Sequence, residues 1–406
     1  MLKRFLFLQG VSSPFFSRLA DRLTANGNDV FKVNFNCGDA AYWLPRGAWS
    51  FRGDLSALSD WLAPKIEAHG ITDIVLFGDR RPVHASAITC AKLSRARIHV
   101  FEEGYFRPHW ITLERGGVNG FSALPRDPNW YLRTAARVPE VLFQRVHTPL
   151  SVRAFHDIAY HLANIGNFVC FTNYRTHRPH NASVEYAGLA KRFALLRFRE
   201  NSDSAICNQL VHGKTPFFLL PLQLDSDAQI REFSVFSGME EVISKVLKSF
   251  ARAAPSDAHL LIKNHPLDTG FVNYTSIIAR ISTECSIVDR VHFVETGDAN
   301  PLLDHAQGVV LVNSTVGTAA LDAGRPIKTL ADPIYNLPGL TFQGELDDFW
   351  KRGERPDVQL TAAFRKIVIH TTLVNGGFYT RGSMNMAAQG AIRVLTAEES
   401  PIEALL

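Results

Sequence analysis

Long apolar runs are missing from this sequence, and with them several large classes of protein. No stretch of roughly eighteen uninterrupted apolar residues occurs, so no membrane-spanning helix is expected. Cysteine is scarce: the five residues Cys37, Cys90, Cys170, Cys207 and Cys285 are scattered, with no CxxC pair. That usage fits a reducing compartment and argues against both a disulfide framework and a structural zinc site. An excess of one charge is lacking too, since the formal net charge is only +4, too mild for a nucleic-acid partner. Neither GxGxxG nor GxxxxGK[ST] is found, which removes the main support for dinucleotide and P-loop readings. The first ten residues look superficially like a signal peptide. Their apolar run is short and no small-residue cleavage site follows, so they read as a first buried strand.

What is present is the composition of a globular enzyme, 46% hydrophobic and 20% charged over 406 residues, a length that predicts two domains. Short Val/Ile/Phe-rich runs at 4–9, 29–35, 71–77 and 97–101 alternate with helical stretches. The theme repeats at 217–222, 259–263, 291–294 and 308–312, with helices over 239–253 and 316–323. This alternation predicts βαβ units and parallel sheets. The fold class expected is α/β of GT-B type, two Rossmann-like domains with a cleft between them. The expected boundaries are residues 1–200 with a helical, aromatic and basic insertion, 201–370, and a helical segment 371–406 packing back on the first domain. Flavodoxin-like or tandem dehydrogenase domains give a similar pattern, and fold alone does not give function.

Ligands of open α/β sheets gather at the carboxyl ends of strands, so the residues after each predicted strand are the candidates. Glu102, Glu103 and Gly104 follow the run 97–101; a carboxylate there can take a proton from an acceptor hydroxyl or hold it, or merely cap a turn. Residues 110–128 read as an ordered functional loop. After 217–222 come Gln223, Asp225 and Asp227, the two acids sharing a side of extended backbone. They can divide acid and nucleophile roles, bind a divalent metal, or cap the next helix. Lys263 and His265, with Pro266, end the run 259–263; they suit a phosphate leaving group, although a His before Pro is often structural. Asn313, Ser314 and Thr315 precede a helix start, where hydroxyls and backbone N–H groups can hold an anion or serve as a simple cap.

Together these segments resemble the KpsS/LipB family of capsular polysaccharide synthesis proteins, retaining β-Kdo glycosyltransferases of GT-B type. The motifs span nearly the whole chain: LFLQG with Gly10, VLFGDRRP, FEEGYFRPHWITLERGGVNG with Arg107, PLQLDSDAQI, KNHPLD and VLVNSTVGTAALDAGRPIKTL. The resemblance implies CMP-Kdo as donor, no cofactor and no required metal, with CMP held mainly by the C-terminal domain. It implies phosphatidylglycerol or its lyso form as acceptor, receiving the first Kdo of a linker, and a cytoplasmic chain peripheral on the inner face of the inner membrane, in contact with capsule assembly proteins. His265, Ser314 and Thr315 resemble CMP-phosphate contacts. Glu102 and Glu103 match the paired-acid-plus-glycine motif of bacterial Kdo and sialic acid transferases. The acidic motif after Gln223 supplies the nucleophile, Asp227 in preference to Asp225. Retention calls for a double displacement, with a carboxylate attacking the anomeric carbon and Glu103 positioning or deprotonating the acceptor.

The segment 174–199, rich in arginine and aromatics, is read either as a helix lying on an anionic leaflet through Arg192, Arg197 and Arg199 or as a solvated interdomain helix. Two other functions compete: a transferase of the same fold using CMP-sialic acid or a UDP-sugar, and a non-catalytic capsule export or assembly component. Acids, His and Lys concentrated at strand ends speak against the second.

Overall fold

The computed structural model describes residues 2–176, 182–213, 215–225, 230 and 232–406. Twelve strands run through the described residues. The first six are β1 (Arg4–Phe7), β2 (Asp29–Asn34), β3 (Trp49–Ser50), β4 (Asp73–Phe77), β5 (Arg97–Glu103) and β6 (Trp110–Arg115). They are followed by β7 (Phe217–Pro221), β8 (His259–Lys263), β9 (Val291–Val294), β10 (Gly308–Leu311), β11 (Ile327–Thr329) and β12 (Leu373–Asn375). The chain divides into two compact units. The first holds Met1–Pro125, Thr134–His177 and Arg365–Leu406; the second holds Arg126–Arg133 and Arg178–Phe364.

Each unit is built on one sheet, ordered β12-β6-β5-β4-β1-β2-β3 in the first and β11-β10-β7-β8-β9 in the second. The central strands β4 and β7 are buried along their whole length. Apolar runs such as IVLF of β4 and FFLLP of β7 are what a parallel strand covered on both faces requires. The helix Phe15–Ala25 buries Phe15, Phe16, Leu19, Ala20 and Leu23 against the first sheet. Met239–Ala253 buries Met239, Val242, Ile243, Val246, Leu247 and Phe250 against the second. Both stripes follow the 3.6-residue period.

The α/β reading therefore holds in both units, with every strand expected from an apolar run in place. Three details differ. Trp110–Arg115, expected within a loop, is a strand antiparallel to β5, because Trp110, Ile111, Thr112, Leu113 and Glu114 are all buried there. The first unit is discontinuous: β12 lies antiparallel to β6, so the segment after 371 opens with a strand before the helix Arg381–Thr396. The boundary placed at 200 falls inside the helix Ala182–His212, which belongs to the second unit. A long helix cannot be divided by composition alone.

Candidate active site

The carboxyl edge of the first sheet gathers the ends of β1, β4 and β5. Gln9, just past β1, is buried and accepts from Arg81 Nη1 at 3.1 Å, while the same nitrogen donates to the Gly10 carbonyl at 2.8 Å. Gln9 Nε2 donates to the hydroxyls of Tyr160 and Tyr174 at 3.4 and 3.2 Å. Tyr160 in turn accepts from Asn36 Nδ2 at 2.8 Å and donates to Asp39 Oδ1 at 3.1 Å. This network fixes Arg81 and the Gly10 carbonyl at the strand edge.

Glu102 and Glu103 end β5 but live in different surroundings. Glu102 Oε1 accepts the Glu103 N–H at 3.0 Å, and its other oxygen packs over Gly78, whose φ is +72°. Burial pushes the Glu102 carboxyl up to about 7, aided by the Glu103 charge and opposed by that N–H, Arg81 and Arg107. Glu103 lies 3.3 Å from Arg153 Nη2 and accepts from the Tyr379 hydroxyl at 3.4 Å, partners that stabilise and orient an ionised carboxylate. Gly104 is required by packing, since a Cβ there would collide with the Trp110 carbonyl. Arg107 Nε reaches the Gly104 carbonyl at 3.4 Å.

Two further acids line this end of the sheet. Glu114, also pushed up to about 7 by burial, accepts from Tyr105 at 2.6 Å and from the Ser122 hydroxyl. Asp79, raised by burial, accepts the Val118 N–H at 3.3 Å. Sequence reasoning passed over Asp79 and Arg81, although GDRRP follows a recognised strand and the strand-end rule reaches it. Arg153 and Tyr379 carried no local signal, because only tertiary packing brings them to Glu103.

In the second sheet β10, β7 and β8 are neighbours, so their carboxyl ends bring together Asn313, Gln223 and His265. Gln223 and Asn313 clasp one another: Gln223 Nε2 donates to Asn313 Oδ1 at 3.0 Å and the Asn313 N–H returns to Gln223 Oε1 at 3.2 Å. Ser314 Oγ accepts the Val316 N–H at 3.2 Å, and its carbonyl takes the Tyr335 hydroxyl at 2.5 Å. Thr315 stands at the start of the helix Val316–Asp322 without a side-chain capping bond, and its carbonyl accepts the Thr318 hydroxyl at 2.8 Å. His265 Nδ1 accepts the Leu267 N–H at 3.1 Å, so the neutral ring carries its proton on Nε2, the tautomer suited to donating to an anion.

The loop bearing His265 is held from behind by Arg192. Its guanidinium donates to the carbonyls of Pro266 and Asp268 at 3.0 Å each and to Glu295 Oε2 at 2.8 Å. Asn264 Nδ2 reaches the same Glu295 oxygen at 2.9 Å. Arg192 is 7% exposed, which corrects its expected place on a membrane-facing surface: its charge is satisfied inside the second unit. Arg197 and Arg199 of the same helix are exposed.

Lys263 is buried, with Nζ 3.4 Å from the Asn264 carbonyl. Its pKa is lowered by burial and by Arg192. It lies electrostatically beside Cys207, Asp203 and Asp298. Asp225 Oδ1 accepts the Met239 N–H at 2.9 Å, so the capping role is realised. Asp227 lies outside the described residues. Among the described residues no group of three or more His, Cys, Asp or Glu side chains is placed to hold a metal ion, and no helix is long and apolar enough to cross a membrane.

Two α/β sheets, each with polar side chains at its carboxyl edge, define the class of the chain as α/β, and sequence comparison names the family. Residues 72–379 match the model of the capsule polysaccharide biosynthesis proteins. The chain is 36% identical over 384 residues to the capsule polysaccharide modification protein LipB of Neisseria meningitidis serogroup A, spanning 93% of this chain and 91% of that protein. It is 33% identical over 378 residues to the capsule polysaccharide export protein KpsS of Escherichia coli, spanning 93% and 97%. This chain belongs to the capsule polysaccharide biosynthesis protein family, as its motifs implied. Among solved structures it is similar to Thermosulfurimonas dismutans KpsC, a beta Kdo 2,7 transferase, at 14% identity and a TM-score of 0.45, covering 96% of this chain and 99% of that one.

Proposed function

We propose that this chain is a glycosyltransferase that moves Kdo from CMP-Kdo to phosphatidylglycerol or its lyso form, with retention, at the inner face of the inner membrane. The observation that carries the reading is the meeting of Gln223, Asn313, Ser314, Thr315 and His265 at the carboxyl ends of three adjacent parallel strands, in a chain of the capsule family. Such an edge supplies N–H and O–H donors where an anionic leaving group needs them. His265 donates from Nε2 to the departing CMP phosphate, and Ser314 and Thr315 hold its oxygens.

The acid-rich segment after Gln223 supplies the nucleophile. A carboxylate of Asp227 or Asp225 attacks the anomeric carbon, the bond to the CMP phosphate breaks, and a glycosyl-enzyme forms. The acceptor hydroxyl then attacks that carbon, releasing the carboxylate and giving its proton to a base. Glu102 is the better base of its pair, because a carboxyl titrating about 7 matches a near-neutral operating pH. Glu103, held by Arg153 and Tyr379, positions the acceptor. No metal enters this scheme.

The test is a transfer assay with CMP-Kdo generated in place and a fluorescent phosphatidylglycerol analogue, read by mass spectrometry. The wild type is expected to give a product one Kdo heavier, and either Asp225→Ala or Asp227→Ala to abolish it. Folded wild type that yields no product with lipid or lyso-lipid, yet resists thermal unfolding in UDP and not in CMP, would move the donor to another sugar nucleotide.

A further inference from the structure

The helix Leu150–Ala163 is built inside out. Its polar side chains face the unit. Arg153 pairs with Glu103, His156 Nδ1 meets the Tyr42 hydroxyl at 2.9 Å, and buried Tyr160 bonds to Gln9, Asn36 and Asp39. Its apolar side chains face outward: Phe155, Ile158 and Leu162 stand i, i+3 and i+7, at 66%, 45% and 61% exposure. Ile165, Phe168 and Val169 carry exposed apolar surface on through the following turns, at 65%, 75% and 68%. A helix serving only its own domain shows the reverse polarity, and a contiguous exposed apolar strip marks an interaction surface.

The charge around the strip states what kind of surface it meets. From 142 to 176 the sequence carries Arg145, Arg153 and Arg175 against a single acid, Asp157, with no Lys or Glu. Arg145 and Arg175 are exposed, whereas Asp157 is half-buried beside His161, 3.7 Å from its Nε2. An outward apolar stripe in a segment that carries three arginines and one acid complements an anionic phospholipid interface. It complements a second copy of itself poorly, since a two-fold contact would set like charges against each other.

We propose that the face bearing Phe155, Ile158, Leu162, Ile165, Phe168 and Val169 seats on an anionic lipid bilayer. The same helix that carries the outward stripe grips Glu103 on its inner side, so seating it brings the carboxyl edge of the first sheet to the lipid surface. That consequence rests on the reading of Glu102 and Glu103 as the acceptor end; the seating itself does not.

The experiment is flotation of the full chain with phosphatidylcholine vesicles, with and without about a third phosphatidylglycerol. The wild type is expected to float with the anionic vesicles, less so as salt screens the arginines. The triple variant Phe155→Gln/Ile158→Gln/Leu162→Gln is expected to lose about a hundred-fold in partitioning, and Arg145→Glu/Arg175→Glu about ten-fold. Leu93→Gln, at another exposed apolar site (83%), is the control and is expected to float like the wild type. Circular dichroism melting confirms that each variant folds. The proposal is overturned if the wild type does not float, or if the folded triple variant floats unchanged. A triple variant that changes the oligomeric state by light scattering while floating normally overturns it in favour of self-association. Intact flotation with no Kdo transfer overturns the reading of the site and leaves the membrane face standing.

Discussion

At the amino end of β5, Arg97 and His99 face Asp73 of β4; at its carboxyl end stand Glu102 and Glu103. Both ends bury carboxyl groups, and the protein treats them in opposite ways. Burial alone would raise Asp73, but hydrogen bonds from His99 at 2.7 Å, Arg97 at 3.0 Å and Thr72 at 2.7 Å outweigh it and hold the carboxyl down to about 2. Glu102 accepts the Glu103 backbone N–H, and there burial prevails, pushing the carboxyl up to about 7. The lesson is that the sheet spends ion pairing where it needs a clamp and withholds it where a proton must move. Conserving charge at the closed end and poising it at the open end lets one strand serve both stability and chemistry.

The sharpest way to break the contrast is to exchange each carboxyl for its amide. Glu102→Gln should lower turnover by about a hundred-fold or more, the usual loss when a base is removed, while the melting temperature at neutral pH stays within a few degrees. Initial-rate kinetics on the folded variant check it; near-normal turnover would return the base role to Glu103. Asp73→Asn should do the converse. It removes the buried charge that Arg97 and His99 bond to, leaving Arg97 to the exposed Glu398 at 3.6 Å, and costs about 3 kcal/mol by denaturant unfolding, with activity per folded molecule unchanged.

The smallest effect sharpens the comparison through pH. Asp73, depressed in the folded state, contributes stability that is present above the ordinary carboxylate range and lost as pH falls toward about 2. Glu102, raised in the folded state, contributes stability that is complete below its ordinary value and lost as pH rises through about 7. Unfolding free energy should therefore decline between about pH 4.5 and about 7, and Glu102→Gln should flatten that slope by about 1 kcal/mol per pH unit. An unchanged slope in the variant would assign the decline to Glu114.

The sequence shows the strands well because a buried parallel strand is a nearly unbroken apolar run, as in residues 74–77 of β4 and in β7. It shows β6 poorly, since Thr112 and Glu114 interrupt the pattern and their burial depends on β5 and Tyr105. The strand-end rule reaches Glu102, Glu103, Gln223, His265 and Asn313. It cannot tell which of the two glutamates is poised, because that depends on Arg153 and Tyr379 arriving from elsewhere in the chain. Arg192 shows the same limit from the other side. Helical spacing places it among exposed arginines, whereas Pro266, Asp268 and Glu295, in the segments that follow β8 and β9, draw it inward.

The pairing of β12 with β6 also governs how the molecule is made. Leu373 sits opposite Thr112, so a strand completed early waits for a partner from the last tenth of the chain. Until then β6 is a bare edge with its hydrogen-bonding groups unmet, the kind of template that recruits other chains. The second unit, by contrast, draws nearly all its residues from one continuous stretch and can form while the first is still incomplete. Shortening the chain ahead of Leu373 should accordingly yield aggregate rather than a smaller, working protein, even though every strand-end residue from Gly10 to Thr315 would still be present.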